Sequence, residues 1–215
     1  MQNRIIYIRK LDTMVLLYSS AFVLGLSGAM MPGPLLTYTI RKALAKGWKA
    51  GFIITAGHAL LEIALIALIM LGFGKILQTL IAQIIIGMAG GLLLTYMGYD
   101  MLKNAIKNNI SVSTEEKGTR AGSMVLSGIL ISASNPYFLI WWTIIGLGFI
   151  LQAIGSYAYL GAVVFYLGHI TADLLWYGVV STVVGKTRKF IKDKPYRIII
   201  ASLGFILVLF GFRFI

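Results

Sequence analysis

Apolar residues run through this chain in long blocks, and the charges collect in the breaks between them. Blocks of roughly 18 or more predominantly apolar residues have the length of a membrane-crossing helix. Reading from one charged break to the next predicts six helices, at about 13–40, 48–73, 76–103, 122–150, 156–184 and 195–214. The first and fourth blocks are longer than a straight span needs. Each also carries proline near its middle, Pro32 and Pro34 in the first and Pro136 in the fourth, where the missing amide and the ring break a helix. The only polar segment of any length, about 104–121, divides the chain into near-equal halves.

The halves resemble each other. Gly57-His58-Ala59-Leu60-Leu61-Glu62 is echoed by Gly168-His169-Ile170-Thr171-Ala172-Asp173, an offset of 111 residues. Gly91-Leu92-Leu93-Leu94 through Gly98-Tyr99 is echoed by Gly204-Phe205-Ile206-Leu207 through Gly211-Phe212, an offset of 113. Met31-Pro32-Gly33-Pro34 faces Ser134-Asn135-Pro136-Tyr137 once a gap is allowed. Three helices per half is an odd number, so the second half enters the membrane upside down. The expected fold is therefore all-α, a polytopic membrane protein of two inverted-topology three-helix repeats with broken helices 1 and 4. Interrupted helices at corresponding places in such repeats point to a transporter's midplane site. One domain is expected over residues 1–215, with repeat 1 at about 13–103, the connecting loop at about 104–121 and repeat 2 at about 122–215.

Composition agrees with the pattern. Of the 215 residues 59% are hydrophobic and only 12% charged, too little polar surface for a soluble domain of this size. The net charge of +12 would suggest nucleic acid in a soluble protein. Here the basic residues sit in loops, where membrane orientation and anionic headgroups explain them, and no nucleic-acid partner is expected. Loops 1, 3 and 5 hold fourteen of the nineteen Lys and Arg, and the remaining segments hold five. The positive-inside rule then places loops 1, 3 and 5 in the cytoplasm and both termini outside, in the cell inner (plasma) membrane. The basic N-terminus resembles a signal peptide, but its apolar run continues into the Pro-Gly-Pro break without a small-residue cleavage site and is read as a retained helix. There are no cysteines, which excludes a thiol relay or a thiolate metal site.

The candidate chemistry lies in the spans. His58 and Glu62 are four apart and share a helix face, as do His169 and Asp173. These are the only acids well inside the apolar blocks, where an ionisable group costs several kcal/mol unless partnered or wetted. Two readings follow. Each histidine bonds its own neighbouring acid and glues helices together, or all four line a central cavity and exchange protons or bind a cation. The breaks at Pro32-Gly33-Pro34 and Asn135-Pro136 free backbone groups in mid-membrane, tolerated where they line protein or water. The half-helix start after the first break favours a carboxylate, and the Asn135 amide both donates and accepts. Trp141, Trp142, Trp176 and Tyr177 either shape the cavity or, as is read for most of them, form interfacial belts or simple packing. Gly87, Gly90, Gly91 and Gly98 are read as sites of close helix contact, compatible with a homodimer. No cofactor motif and no nucleophile–base–orienter set is visible, so neither a cofactor nor an enzyme is expected, and a membrane enzyme or scaffold is the weakest alternative.

Gly28-Ala29-Met30-Met31-Pro32-Gly33-Pro34, the segment Arg41 to Gly51, Gly90 to Gly98-Tyr99, and Ser134-Asn135-Pro136 together resemble the lysine-exporter family (LysE/RhtB type) of amino-acid exporters. The resemblance covers nearly the whole chain and implies six hydrophobic segments and export of amino acids or related small metabolites driven by the proton motive force. Pro32, Gly33, Pro34, Asn135 and Pro136 match the family pattern, which implies a substrate-binding role for them; Glu62, Asp173, His58 and His169 are less typical of it, and their expected proton-coupling role comes from their place inside the spans. The wider superfamily implied by this resemblance includes divalent-metal exporters, and the same four side chains make a chemically reasonable Zn²⁺, Co²⁺ or Ni²⁺ site.

Overall fold

Prolines and glycines set where the helices of this chain begin and end. The computed structural model describes residues 2–31, 33–73, 76, 79–107 and 121–214, and the elements these form are helical. Helix α1 (Gln2–Ala29) stops ahead of the Pro-Gly-Pro run, and α2 (Pro34–Lys46) starts at Pro34. A proline at the first helical position loses nothing, because its amide has no acceptor there anyway. The two helices meet at 76°. Gly47, at φ 90°, ends α2 in the left-handed region that glycine tolerates without cost. Arg188 also reaches across to donate to the last carbonyls of α2, those of Leu44 and Ala45, at 3.3 and 2.8 Å. Next come α3 (Lys49–Met70) and α4 (Leu80–Ile106).

The second half is broken in the same style. Helix α5 (Ala121–Ala133) ends before Asn135, and α6 (Pro136–Trp141) starts at Pro136 and runs through a π-helical turn, Trp142–Gly146, into α7 (Leu147–Thr187). Within α7 the backbone turns non-helical at Tyr157 and Ala158, the latter at φ 50°. Phe149 and Phe165 are sixteen residues apart and would lie about 24 Å apart along a straight helix, yet their rings stack at 6.4 Å. The chain therefore doubles back on itself at 157–158. Gly161 makes the reversal possible, since a Cβ there would run into the Ala153 carbonyl. The fold closes with a short 3₁₀ turn, Arg188–Phe190, and α8 (Asp193–Phe214).

Four helices are long and apolar enough to cross a membrane, five when the bent pair α1–α2 counts as one span. The outer face of α4 leaves Leu80, Ile81, Ile85, Leu92 and Tyr96 more than half exposed, a surface suited to lipid and not to water. Two expected boundaries shift. The first block extends to Lys46 instead of 40, because buried Lys42 and its neighbours continue α2; the reversal falls at 157–158, leaving almost no loop between the arms of α7. Of the expected connection 104–121, positions 108–120 lie outside the described residues.

Packing follows the glycines. Helix α1 lies along α7, α3 along α5 and α7, and α4 along α8. In apolar solvent close backbone approach replaces the hydrophobic effect as the source of helix association. A Cβ on Gly57 of α3 would meet the Val125 carbonyl of α5, and one on Gly168 of α7 would meet the Tyr18 carbonyl of α1. Gly98 faces Gly204 across the α4–α8 seam, and Gly211 faces Gly91. The close contacts expected of Gly91 and Gly98 are thus made inside the bundle. Gly57→Ala is expected to destabilise the protein by about 1–3 kcal/mol through overpacking. Gly148→Ala, in open space, is expected to be neutral or stabilising by up to about 1 kcal/mol. Equal melting temperatures for the two variants in detergent would contradict this packing.

Candidate functional site

Helices α3 and α7 lie side by side, and each presents a histidine and an acid one turn apart toward the other. His58 and Glu62 come from α3, His169 and Asp173 from α7, and all four are buried. Their polar atoms interleave. His169 Nε2 is 2.9 Å from Glu62 Oε1 and 3.5 Å from Asp173 Oδ2. His58 Nε2 is 3.3 Å from Glu62 Oε1 and 3.8 Å from Asp173 Oδ2. The shortest contact crosses from one helix to the other, so the histidines do not simply bond their own neighbours. The structure brings all four together, as the central-cavity reading requires.

A second layer holds the four in place. His58 Nδ1 pairs with Ser132 Oγ of α5 at 2.7 Å. Trp142 Nε1–H donates to Glu62 Oε1 at 3.3 Å, and the Tyr166 hydroxyl ties α7 to α3 by donating to the Ala59 carbonyl at 3.1 Å. The His169 ring sits among Trp141, Trp142 and Phe165, with centroids 4.7, 5.4 and 6.3 Å away. Its Nδ1 faces Gly25 of α1 and has no hydrogen-bond partner among the described residues. The π turn, a feature frequent at functional sites, starts at Trp142. Gly146 completes that turn and leaves room for both indoles.

The cluster opens on a cavity of about 240 Å³ that also reaches both helix breaks. Gly33 and Asn135 line it, with Met31, Leu35, Leu36, Tyr137 and Phe138 as largely apolar walls. Gly33 caps α2, whose first internal hydrogen bond is Thr37 N–H to the Gly33 carbonyl at 3.0 Å. The amides of Leu35 and Leu36 are therefore left without an intrahelical acceptor. Pro34 is buried at the first position of α2. Asn135 caps α6, its Oδ1 accepting from Tyr137 N–H at 3.2 Å, and Pro136 opens that helix. Pro32 lies outside the described residues.

Aromatic residues and one serine complete the site. Of the readings open for the aromatics, Trp141, Trp142 and Tyr177 follow cavity lining, with Trp142 and Tyr177 also packed in the core, since the broken helix and α7 turn them inward; Trp176 follows packing, against the neighbouring core. Ser132 was not anticipated. Its one visible signal is that it stands as a polar residue within the apolar run of α5, three before Asn135.

The family model for the LysE type translocator matches residues 26–215. The chain belongs to that family. As a LysE type translocator it is a multi-pass membrane protein and a transporter, not an enzyme. Among similar proteins, a "Putative amino acid efflux protein YcgF" of Bacillus subtilis is 24% identical over 92% of this chain and 94% of its own length. A "Threonine efflux protein" of Salmonella typhi is 26% identical over 79% of this translocator and 82% of its own length. A "Chemotactic transduction protein ChpE" of Pseudomonas aeruginosa is 21% identical over 91% and 95%. No solved structure matches the translocator significantly. The Asn135 cap supplies a test of the site's framework. Asn135→Ala is expected to cost about 1 kcal/mol of stability, with Asn135→Ser recovering most of it; a melting temperature unchanged by alanine would contradict the capping role.

Proposed function

We propose that this translocator exports amino acids or related small metabolites in exchange for protons. The observation that carries this reading is the juxtaposition, around one cavity, of two helix breaks and the buried His–carboxylate cluster. A zwitterion fits such a space. Its carboxylate takes the free amides at the start of α2, where the helix dipole is positive, and Asn135 contributes its side-chain amide. Its ammonium group turns toward Glu62 and Asp173. The names of the relatives that mention amino acid or threonine efflux support the same substrate class.

Proton exchange follows from the same geometry. Imidazole is the side chain whose ordinary titration range spans neutral pH, and each imidazole here contacts both carboxylates. Glu62 and Asp173 take up and release protons, and His58 and His169 relay them, as the halves rock about the cavity. The two halves are read as inverted three-helix repeats giving six spans: α1–α2, α3 and α4 against α5–α6 with the first arm of α7, the second arm of α7, and α8. The contacts support this pairing. Gly57 against Val125 corresponds to Gly168 against Tyr18, and Gly98 against Gly204 corresponds to Gly211 against Gly91, as a two-fold axis in the membrane plane requires. Loops 1, 3 and 5 face the cytoplasm in this reading, by their excess of Lys and Arg.

The test is transport by purified protein in liposomes under an imposed pH gradient, with threonine and larger apolar amino acids as cargo. Gradient-driven flux is expected for the wild type and is expected to fall by roughly 10²-fold in Glu62→Gln, the scale of a lost proton-transfer group. Flux of an amino acid that ignores both the gradient and the substitution would overturn the coupling role. Absence of any amino-acid flux would overturn the exporter reading.

A further inference from the structure

The four side chains at the centre have a second capacity that proton exchange does not use. We propose that His58, Glu62, His169 and Asp173 bind one first-row divalent ion of tetrahedral preference, Zn²⁺ above all, and that the bound ion arrests transport by fastening α3 to α7. The arrest rests on the exporter reading above; the binding does not.

The geometry is the first ground. A tetrahedral ion holding N and O ligands at about 2.0–2.2 Å separates those ligands by about 3.3–3.6 Å. The four histidine–carboxylate distances are 2.9, 3.3, 3.5 and 3.8 Å, close to that separation. His58, Glu62 and Asp173 each offer a ligand atom within 4.8 Å of the others; His169 Nε2, 2.9 Å from Glu62 Oε1 and 3.5 Å from Asp173 Oδ2, completes the set by turning toward His58. All four sit on long helices, so the ligand set is held by rigid elements and not by a loop.

The surroundings are the second ground. A metal-bound histidine commonly anchors its other ring nitrogen to an oxygen, which fixes the ring and its tautomer, and His58 Nδ1 has that anchor in Ser132 Oγ at 2.7 Å. When Nδ1 carries the proton of that bond, the Nε2 lone pair points at two carboxylates, a place that a proton or a metal ion fills. Among the described residues, Glu62 Oε2 and Asp173 Oδ2 are buried without hydrogen-bond partners, leaving acceptor capacity unspent where an unsatisfied group is costly. Two nitrogens with two carboxylates suit Zn²⁺ or Co²⁺, whereas Ca²⁺ and Mg²⁺ require more oxygens than the cluster holds.

The consequence for transport is mechanical. The ion takes two ligands from α3 and two from α7, one helix from each half of the chain. It thereby adds four bonds across the seam along which the halves must move, and it occupies the groups that carry protons.

The sequence makes the experiment clean, because these are the chain's only two histidines and it has no cysteine. Full-length protein in detergent, stripped with EDTA, is titrated with Zn²⁺ against a chromophoric chelator, and separately with Co²⁺ while its visible absorption is followed. One Zn²⁺ per chain and an intense, tetrahedral-type Co²⁺ spectrum are expected, both lost in the His58→Ala/His169→Ala variant. Ser132→Ala, which keeps all four ligands, is expected to weaken Zn²⁺ binding about 10–100-fold while leaving the stoichiometry at one ion per chain. No stoichiometric Zn²⁺, a weak octahedral-type Co²⁺ spectrum, or binding that survives the double histidine variant overturns the site. In liposomes, Zn²⁺ is expected to suppress amino-acid flux through the wild type, and EDTA to restore it; flux unaffected by bound Zn²⁺ overturns the arrest. If no amino acid moves at all, the exporter reading fails on its own while the titration still decides the metal site.

Discussion

Ionisable groups inside an apolar bundle must be partnered there, and that constraint governs the centre of this translocator. Glu62 is fully buried and Asp173 nearly so. Left alone, either would cost several kcal/mol in the membrane interior. Neither is left alone, because the histidines that accompany them in sequence also bridge them in space. The cluster in turn requires α3 and α7 to lie side by side, Trp142 to turn inward from the π segment, and α5 to bring Ser132 under His58. The bundle is assembled around its most expensive residues.

Glycine contacts supply what the polar cluster cannot. A few hydrogen bonds at the centre do not hold long helices together in lipid, where apolar burial gives no advantage. Close approach at Gly57, Gly168, Gly98 and Gly204 brings backbones into direct contact along three seams. Pro34 and Pro136 act differently: each starts a new helix inside the bundle, and the caps just before them, Gly33 and Asn135, open onto the same cavity as the charges. Adhesion is thus distributed along the seams, while the chemistry is concentrated at one depth.

Much of this was legible in the sequence, because membrane helices announce themselves by length and apolarity. The His–acid pairs were visible for the same reason, since an acid in the middle of an apolar block stands out. The helical character of both halves and the breaks at Pro34 and Pro136 follow directly from residue type. What was not legible depends on tertiary contact. The cross-helix choice of His169 for Glu62 over its own Asp173 is set by how α3 and α7 face each other, which no local spacing encodes. Ser132 looked like any small polar residue in a helix, and nothing in the sequence chose between belt, packing and cavity for Trp141 and Trp142, which the π turn points at His169. The reversal at Tyr157–Ala158 was legible as a gap between blocks, but its tightness depends on Gly161 lying against Ala153.

The most direct test of the central claim, that charge pairing between α3 and α7 unites the site, is a double-mutant cycle on Glu62 and His169. Unfolding free energies in mixed micelles for Glu62→Ala, His169→Ala and the double variant give the coupling between the two side chains without reference to cargo. A buried pair in contact is expected to show a coupling on the order of 1–3 kcal/mol. Additivity within about 0.5 kcal/mol, the behaviour of distant sites, would mean that the two side chains do not depend on each other and would contradict the architecture described above.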